Sequence, residues 1–237
     1  MTRILVWDLP TRLFHWLLAG SFLSAFAIAT LTDDDGALFP VHMLLGLVVA
    51  FMVLLRLVWG LVGSRHARFT SFAWRPAELA TYLRDAVAGR AGRAYPGHNP
   101  ATTWAVAVML ACALGLGATG LAMSSGSEAA EAVHEVLAWI LLGTVGAHLV
   151  GIAWHALRHR ENIATSMVHG YRRGDPGAAI ASARPVAGLV FLALTGAWAG
   201  GLARGYDPAA GTVTMLGTTI ALGEDGEGGD DGDEDDD

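Results

Sequence analysis

The side chains of this chain best placed to do chemistry are histidines set in apolar, uncharged surroundings. Two of them lie in one stretch, Val133 to Arg160. Its central part, Val136 to Leu157, holds no Asp, Glu, Lys or Arg and is long enough to cross a bilayer as a helix. His134 and His148 are fourteen residues apart. At about 100° and about 1.5 Å per residue, that spacing puts them within about 40° on one helix face and about 21 Å apart in depth. Imidazole in hydrocarbon is costly and usually functional, but a neutral imidazole that gives its lone pair to iron becomes tolerable there. One helix offering imidazoles inward at two levels therefore suggests a pair of stacked haems.

The elements that must carry these residues are membrane helices. The chain has 237 residues, 53% of them hydrophobic and only 16% charged, with a mean hydropathy of +0.44. That is too apolar for an ordinary soluble domain. The formal charge of −7 comes from the last fifteen residues, which carry ten acids; without them the chain stands at +3. There is no lysine. Cys112 is the single cysteine, so neither a disulfide framework nor a C-x-x-C-H haem attachment is available, and any haem is held non-covalently. Apolar runs at about 13–31, 41–62, 101–123 and 136–157 predict four crossings. A further Gly-rich run at 185–203 predicts a fifth. Pro76 and the shared face of Leu79, Tyr82, Leu83 and Val87 predict a short amphipathic helix at the interface. The charged start and Ala27-Ile28-Ala29 fit a cleavable leader loosely, but His15 interrupts the apolar run where a leader has no use for it. The expected architecture is an all-α membrane protein: a four-helix di-haem bundle over residues 1–175, a fifth transmembrane helix within 176–205, and a disordered acidic tail over 206–237. Thirteen of the fifteen arginines lie in the N-terminus and the 63–100 and 158–184 connections, whereas the 32–40 and 124–132 connections hold only acids. The expected orientation thus has a cytoplasmic N-terminus and a tail on the outer side of the membrane.

Depth then pairs the histidines. His42 and His134 both begin their helices near the outer face. His15 lies about 25 Å below the outer end of its helix and His148 about 21 Å below His134, which pairs them near the inner face. His155, one heptad beyond His148 on the same face, is a rival ligand about 10 Å deeper. His66, His98, His159 and His169 sit among charged or loop residues and read as solvated. Arg12, one turn before His15, could hold a haem propionate or anchor the chain to the inner face. Arg56, fourteen residues after His42, could reach an inner propionate or snorkel to headgroups.

With those residues in place, the chain resembles the bacterial di-haem cytochrome b561 family, which includes b-type cytochrome subunits of nickel-iron hydrogenases. The resemblance covers about residues 4–170. It rests on V-W-D-L-P-T-R-L-F-H-W in segment one, H-M-L-L-G-L-V-V-A-F-M-V-L-L-R-L-V-W-G-L-V-G in segment two, and V-H-E-V-L-A-W, H-L-V-G, H-R-E-N and M-V-H-G in and after segment four. It implies two haems b, each held by two histidines: His15 with His148, and His42 with His134. It also implies electron passage between a quinone pool (ubiquinone or menaquinone) and a partner. Trp7, Asp8 and Trp16, or Glu135 and Trp139, are candidates for contact with the quinone. The fifth helix and acidic tail lie outside the family pattern.

The sequence holds no pair of carboxylates in a cleft, no nucleophile constellation and no phosphate-cradling loop. Electron transfer across a membrane, with quinone oxidoreduction at one end, is the expected function. The expected partners are lipid, quinone and a soluble periplasmic redox protein such as a c-type cytochrome, drawn by the acidic tail; no nucleic acid is expected, and a homodimer is an open alternative. Two other classes compete: a haem-free histidine-lined metal transporter, and a membrane anchor for a peripheral oxidoreductase.

Overall fold

The computed structural model describes residues 2–33, 36–90 and 95–222. Among the described residues, five helices are long and apolar enough to cross a membrane: α1 (Leu9–Leu31), α2 (Phe39–Val62), α4 (Pro100–Met123), α5 (Glu128–His159) and α7 (Pro185–Gly205). Between α2 and α4 lies the short helix α3 (Pro76–Val87), and after α5 comes a single turn, α6 (Ser166–His169).

Local chemistry sets where the crossings start. Asp8 caps α1, its Oδ1 accepting the N–H of Thr11 at 2.9 Å, with Pro10 in the first turn. Asn99 repeats the device for α4, accepting from Thr102 N–H at 2.8 Å ahead of Pro100. Both helices therefore begin earlier than the apolar runs alone predict. The helix α5 also runs past its apolar core at both ends, because Glu128 to Ala132 and Arg158 are good helix formers.

The crossings pack unequally. The helix α1 lies along α2, α4 along α5, and α2 joins the two pairs through α4. Their shared core holds Phe14, Phe22, Met52, Val53, Leu110 and Leu141. Gly117 lets α4 approach α2: a Cβ there would come within 2.8 Å of Ala50 Cβ. Much less of α5 approaches α1 and α2, so a seam separates them, bridged by long side chains. One bridge is the edge-to-face pair Phe26 and Trp139, at 5.5 Å between centroids. The helix α7 packs on α1 and α2, and its Phe191 joins the common core. Outward faces carry large exposed apolar residues such as Leu54, Val58, Leu149 and Val150, as a lipid-facing surface requires.

Two small sheets close the ends. Strand β1 (Thr2–Leu5) pairs antiparallel with β2 (Tyr171–Gly174), in register Thr2 to Gly174 and Leu5 to Tyr171. Gly170 caps α6 at φ 86, and its carbonyl accepts both Val6 N–H and Trp7 N–H, which tucks the N-terminus under the bundle. At the other end, α7 runs into a meander of β3 (Tyr206–Asp207), β4 (Thr212–Met215) and β5 (Thr218–Ala221). This corrects the expectation of disorder over 206–237 for its first part. Val213 and Leu222 are buried against Met43, Leu44 and Leu47 of α2 and Trp198 of α7, so a short alternating run folds because it covers apolar helix surface. The expected disordered acidic tail from 223 onward, Asp34, Asp35, Arg93 and the side chain of His159 lie outside the described residues.

Candidate functional site

The seam between α5 and the α1/α2 pair is where the chemistry-bearing residues gather. At one level His42, from the first turn of α2, faces His134 of α5, with ring centroids 6.2 Å apart. Each ring is held through the same nitrogen. His42 Nδ1–H donates to the Ala25 carbonyl of α1 at 2.8 Å. The Thr119 hydroxyl donates to Gly115 O at 2.8 Å, so its oxygen is left to accept His134 Nδ1–H at 2.9 Å. Both hydrogen bonds fix the tautomer and leave Nε2 with a free lone pair. Two imidazoles on opposite faces of one iron, with metal–nitrogen bonds of about 2 Å, have centroids about 6 Å apart. The separation observed fits that requirement.

At the other level His15 of α1 and His148 of α5 lie within electrostatic reach of one another. His15 Nδ1 is buried and has no hydrogen-bond partner among the described residues. His155, seven residues further along α5, has its Nε2 3.8 Å from a carboxylate oxygen of Glu161. Among the described residues no three His, Cys, Asp or Glu side chains gather into a cage for a bare metal ion. His42 and His134 stand as a pair, while His148 has both His15 and His98 within electrostatic reach.

Around the second level lies a buried polar layer. Arg56 is only 3% exposed; its Nη2 donates to Ala67 O at 3.0 Å, its guanidinium lies 5.2 Å from the Phe69 ring centroid, and its Nη1 has no partner. A buried guanidinium with an open donor suits a carboxylate such as a haem propionate. Arg12 hydrogen-bonds through Nη2 to the Val168 carbonyl, tying α1 to α6, while its Nε is buried without a partner. Asp8 is fully buried and has both oxygens engaged, one by its own helix cap and one by Trp59 Nε1 at 3.0 Å. Trp7 Nε1 donates to Ser166 Oγ and Trp16 Nε1 to Met167 O. Near the first level, Trp139 Nε1 reaches Glu135 Oε1 at 3.4 Å and the indole is largely exposed.

Two histidines read as solvated are enclosed instead. His98 packs between Trp7, at 4.8 Å, and Phe72, at 4.5 Å, with Nδ1 sealed and unpartnered. Burial first, and then the cationic Arg56 nearby, holds its proton affinity far down, at about 3, so the ring is neutral. His66 is buried with Nε2–H donating to Ala178 O at 2.8 Å, and desolvation lowers its proton affinity despite that bond. Arg172 fastens the loop that carries His98 by donating to the carbonyls of Tyr95, Pro96 and Gly97. The only sequence cues were Trp7 and the aromatic run Phe69 to Trp74, whose partner is not visible locally. His169 is exposed and accepts the Tyr171 N–H.

Comparison with known proteins bears on what this arrangement holds. The family model described as prokaryotic cytochrome b561 matches residues 6–170. A probable Ni/Fe-hydrogenase B-type cytochrome subunit from Rhizobium leguminosarum bv. viciae is 22% identical over 211 residues, covering 71% of this chain and 88% of the relative. The probable Ni/Fe-hydrogenase 1 B-type cytochrome subunit of Escherichia coli (strain K12) is 25% identical over 214 residues, covering 70% and 89%. No solved structure matches.

Proposed function

We propose that this chain, which belongs to the prokaryotic cytochrome b561 family, is a membrane electron conduit that holds two haems b and passes electrons between the quinone pool and a soluble redox partner. The family is one of b-type cytochromes, so haem b and electron transfer come with membership. The observation that carries the residue assignment is the facing pair His42 and His134 at 6.2 Å, each with Nδ1–H engaged and Nε2 free.

In this reading His42 and His134 would hold the outer haem, and His15 and His148 the inner one. The bound group supplies a one-electron iron couple. The protein's own work is placement: α5 carries an imidazole at each level, α1 and α2 carry one each, and the apolar core excludes water. Arg56, through its open Nη1, and Arg12, through Nε, neutralise carboxylates at the inner level. The arginine-rich end faces the cytoplasm of a bacterial inner membrane, by the positive-inside rule, and the meander and acidic tail face the periplasm. Ten acids in the last fifteen residues attract a basic soluble protein such as a c-type cytochrome.

A metal transporter would gather its ligands at one site, whereas these imidazoles stand in pairs at two depths. The relatives' printed role favours a second partner, a peripheral oxidoreductase such as a Ni/Fe-hydrogenase, delivering electrons to the same haems.

The test is quinol-driven reduction of added cytochrome c by the protein in sealed vesicles. The rate should fall as salt rises from about 10 mM to about 150 mM, because the Debye length shortens from about 30 Å to about 8 Å. Truncation after Leu222 should abolish that salt dependence. Absence of reduction in the intact chain would overturn the quinone-to-cytochrome reading and leave the peripheral oxidoreductase.

A further inference from the structure

We propose that the arginine-rich end of the bundle carries a headgroup site for an anionic phospholipid, set between the C-terminus of α2 and the N-terminus of α7. A cavity of about 300 Å³ opens there, lined among others by Ser64, Arg65, Arg68, Ser182 and Arg184, with no acidic residue in its wall. Three cations and two hydroxyls around one small space suit a phosphodiester.

Two independent features point to a ligand. Ser64 is only 7% exposed, lines the cavity, and its hydroxyl has no hydrogen-bond partner. A buried hydroxyl without a partner is costly and calls for one. The second is the start of α7. Arg184 precedes it at φ 52 with no side-chain cap, its own N–H taken by Ser182 Oγ at 3.1 Å. Pro185 has no N–H, so the amides of Val186 and Ala187 begin a helix of 21 residues without a capping oxygen. Orphan amides and the positive end of the helix dipole favour an anion. Arg65 is pinned over the cavity by donating to Gly177 O at 2.8 Å.

The surroundings make the anion a lipid. The cavity sits at the ends of two membrane helices, and those ends expose Leu61, Val62, Val186 and Leu189. A phosphodiester held in the cavity places its acyl chains along these residues. A free phosphate leaves them uncovered. Half of the wall, Ala179 to Ser182 with Arg184, lies beyond the residues 6–170 that the family model matches.

The test is native mass spectrometry of the purified full chain in micelles holding equal amounts of phosphatidylglycerol and phosphatidylcholine. One phosphatidylglycerol should be retained per chain in preference to phosphatidylcholine. Arg68→Gln and Arg184→Gln should each weaken retention about fivefold, from the usual contribution of one cation near an anionic headgroup. Ser64→Ala should weaken it severalfold, while Arg75→Gln, on the same end but off the cavity, should not change it. Melting temperature and the visible spectrum report folding; should Arg184→Gln fail to fold, the exposed Arg68 and the small Ser64→Ala change still decide the matter. Equal retention of the two lipids, or an equal loss in Arg75→Gln, would overturn the proposal. Displacement of the lipid by millimolar inorganic phosphate would overturn it in favour of a free-anion site.

Discussion

Thr119 offers the sharpest test of how the seam works. Its hydroxyl hydrogen goes to Gly115 O at 2.8 Å and its oxygen stands 2.9 Å from His134 Nδ1. Thr119→Val keeps the shape of the side chain and removes the hydroxyl, and with it both the acceptor for His134 Nδ1–H and the donor to Gly115 O. A hydrogen bond to the far nitrogen makes an axial imidazole a stronger donor, which favours ferric over ferrous iron. A neutral hydrogen bond contributes about 1 kcal/mol net. For one electron about 1.4 kcal/mol corresponds to about 59 mV, so placing that whole contribution on the ferric state raises the potential of the His42/His134 centre by about 40 mV. The His15/His148 level lies about 21 Å away along α5 and should not move. Thr119→Ser retains the acceptor and should stay near the parent value. Spectroelectrochemical titration resolves the two potentials. An unchanged or lowered outer potential, or an equal shift at both centres, would refute the reasoning.

Other perturbations follow from the same geometry. The His98 ring, held at about 3 against an ordinary 6.5, is neutral in the fold, while the unfolded loop takes up a proton below 6.5. Stability is therefore complete above pH 6.5 and falls as the pH drops towards 3. At about 1.4 kcal/mol per unit, the step from pH 7 to pH 5 costs the docking of residues 95–99 about 2 kcal/mol. Hydrogen exchange of that segment should quicken accordingly in the parent and stay flat in His98→Phe; pH-independent protection in the parent would contradict this. Gly117→Ala pushes a Cβ to 2.8 Å from Ala50 and should lower stability by about 1–3 kcal/mol in a thermal melt. Gly120→Ala, whose Cβ meets only His134 Cε1 at 3.8 Å, should be tolerated. Asp8→Ala strips both the cap of α1 and the acceptor of half-buried Trp59 Nε1, so a loss of about 2–3 kcal/mol is expected; Asp8→Asn, which can keep the cap, should lose less.

The crossings were legible in the sequence because each is a long uncharged run, and the composition alone demanded a membrane. The facing of His42 and His134 was legible too, since successive crossings alternate in direction and α2 and α5, second and fourth, therefore begin at the same end. His98 and His66 were not. They sit in connections whose burial comes from β1 pairing with β2, which joins residues about 170 apart in the chain, and from Arg172 gripping the 95–97 carbonyls about 75 residues away. Arg12 was read correctly as lying one turn from His15, but its grip on Val168 depends on where α6 returns. The meander after α7 was missed because Thr212 to Leu222, short and Gly-flanked, gains its order only by covering Met43, Leu44 and Trp198.

The most direct measurement is the haem content of the purified chain, by pyridine haemochrome against protein mass, with the reduced-minus-oxidised spectrum alongside. The expected result is two low-spin b haems per chain, falling by about one in His148→Ala and in His134→Ala and unchanged in His155→Ala. A colourless protein, a single haem, or loss of haem in His155→Ala with none in His148→Ala would contradict the assignment of four imidazoles to two irons.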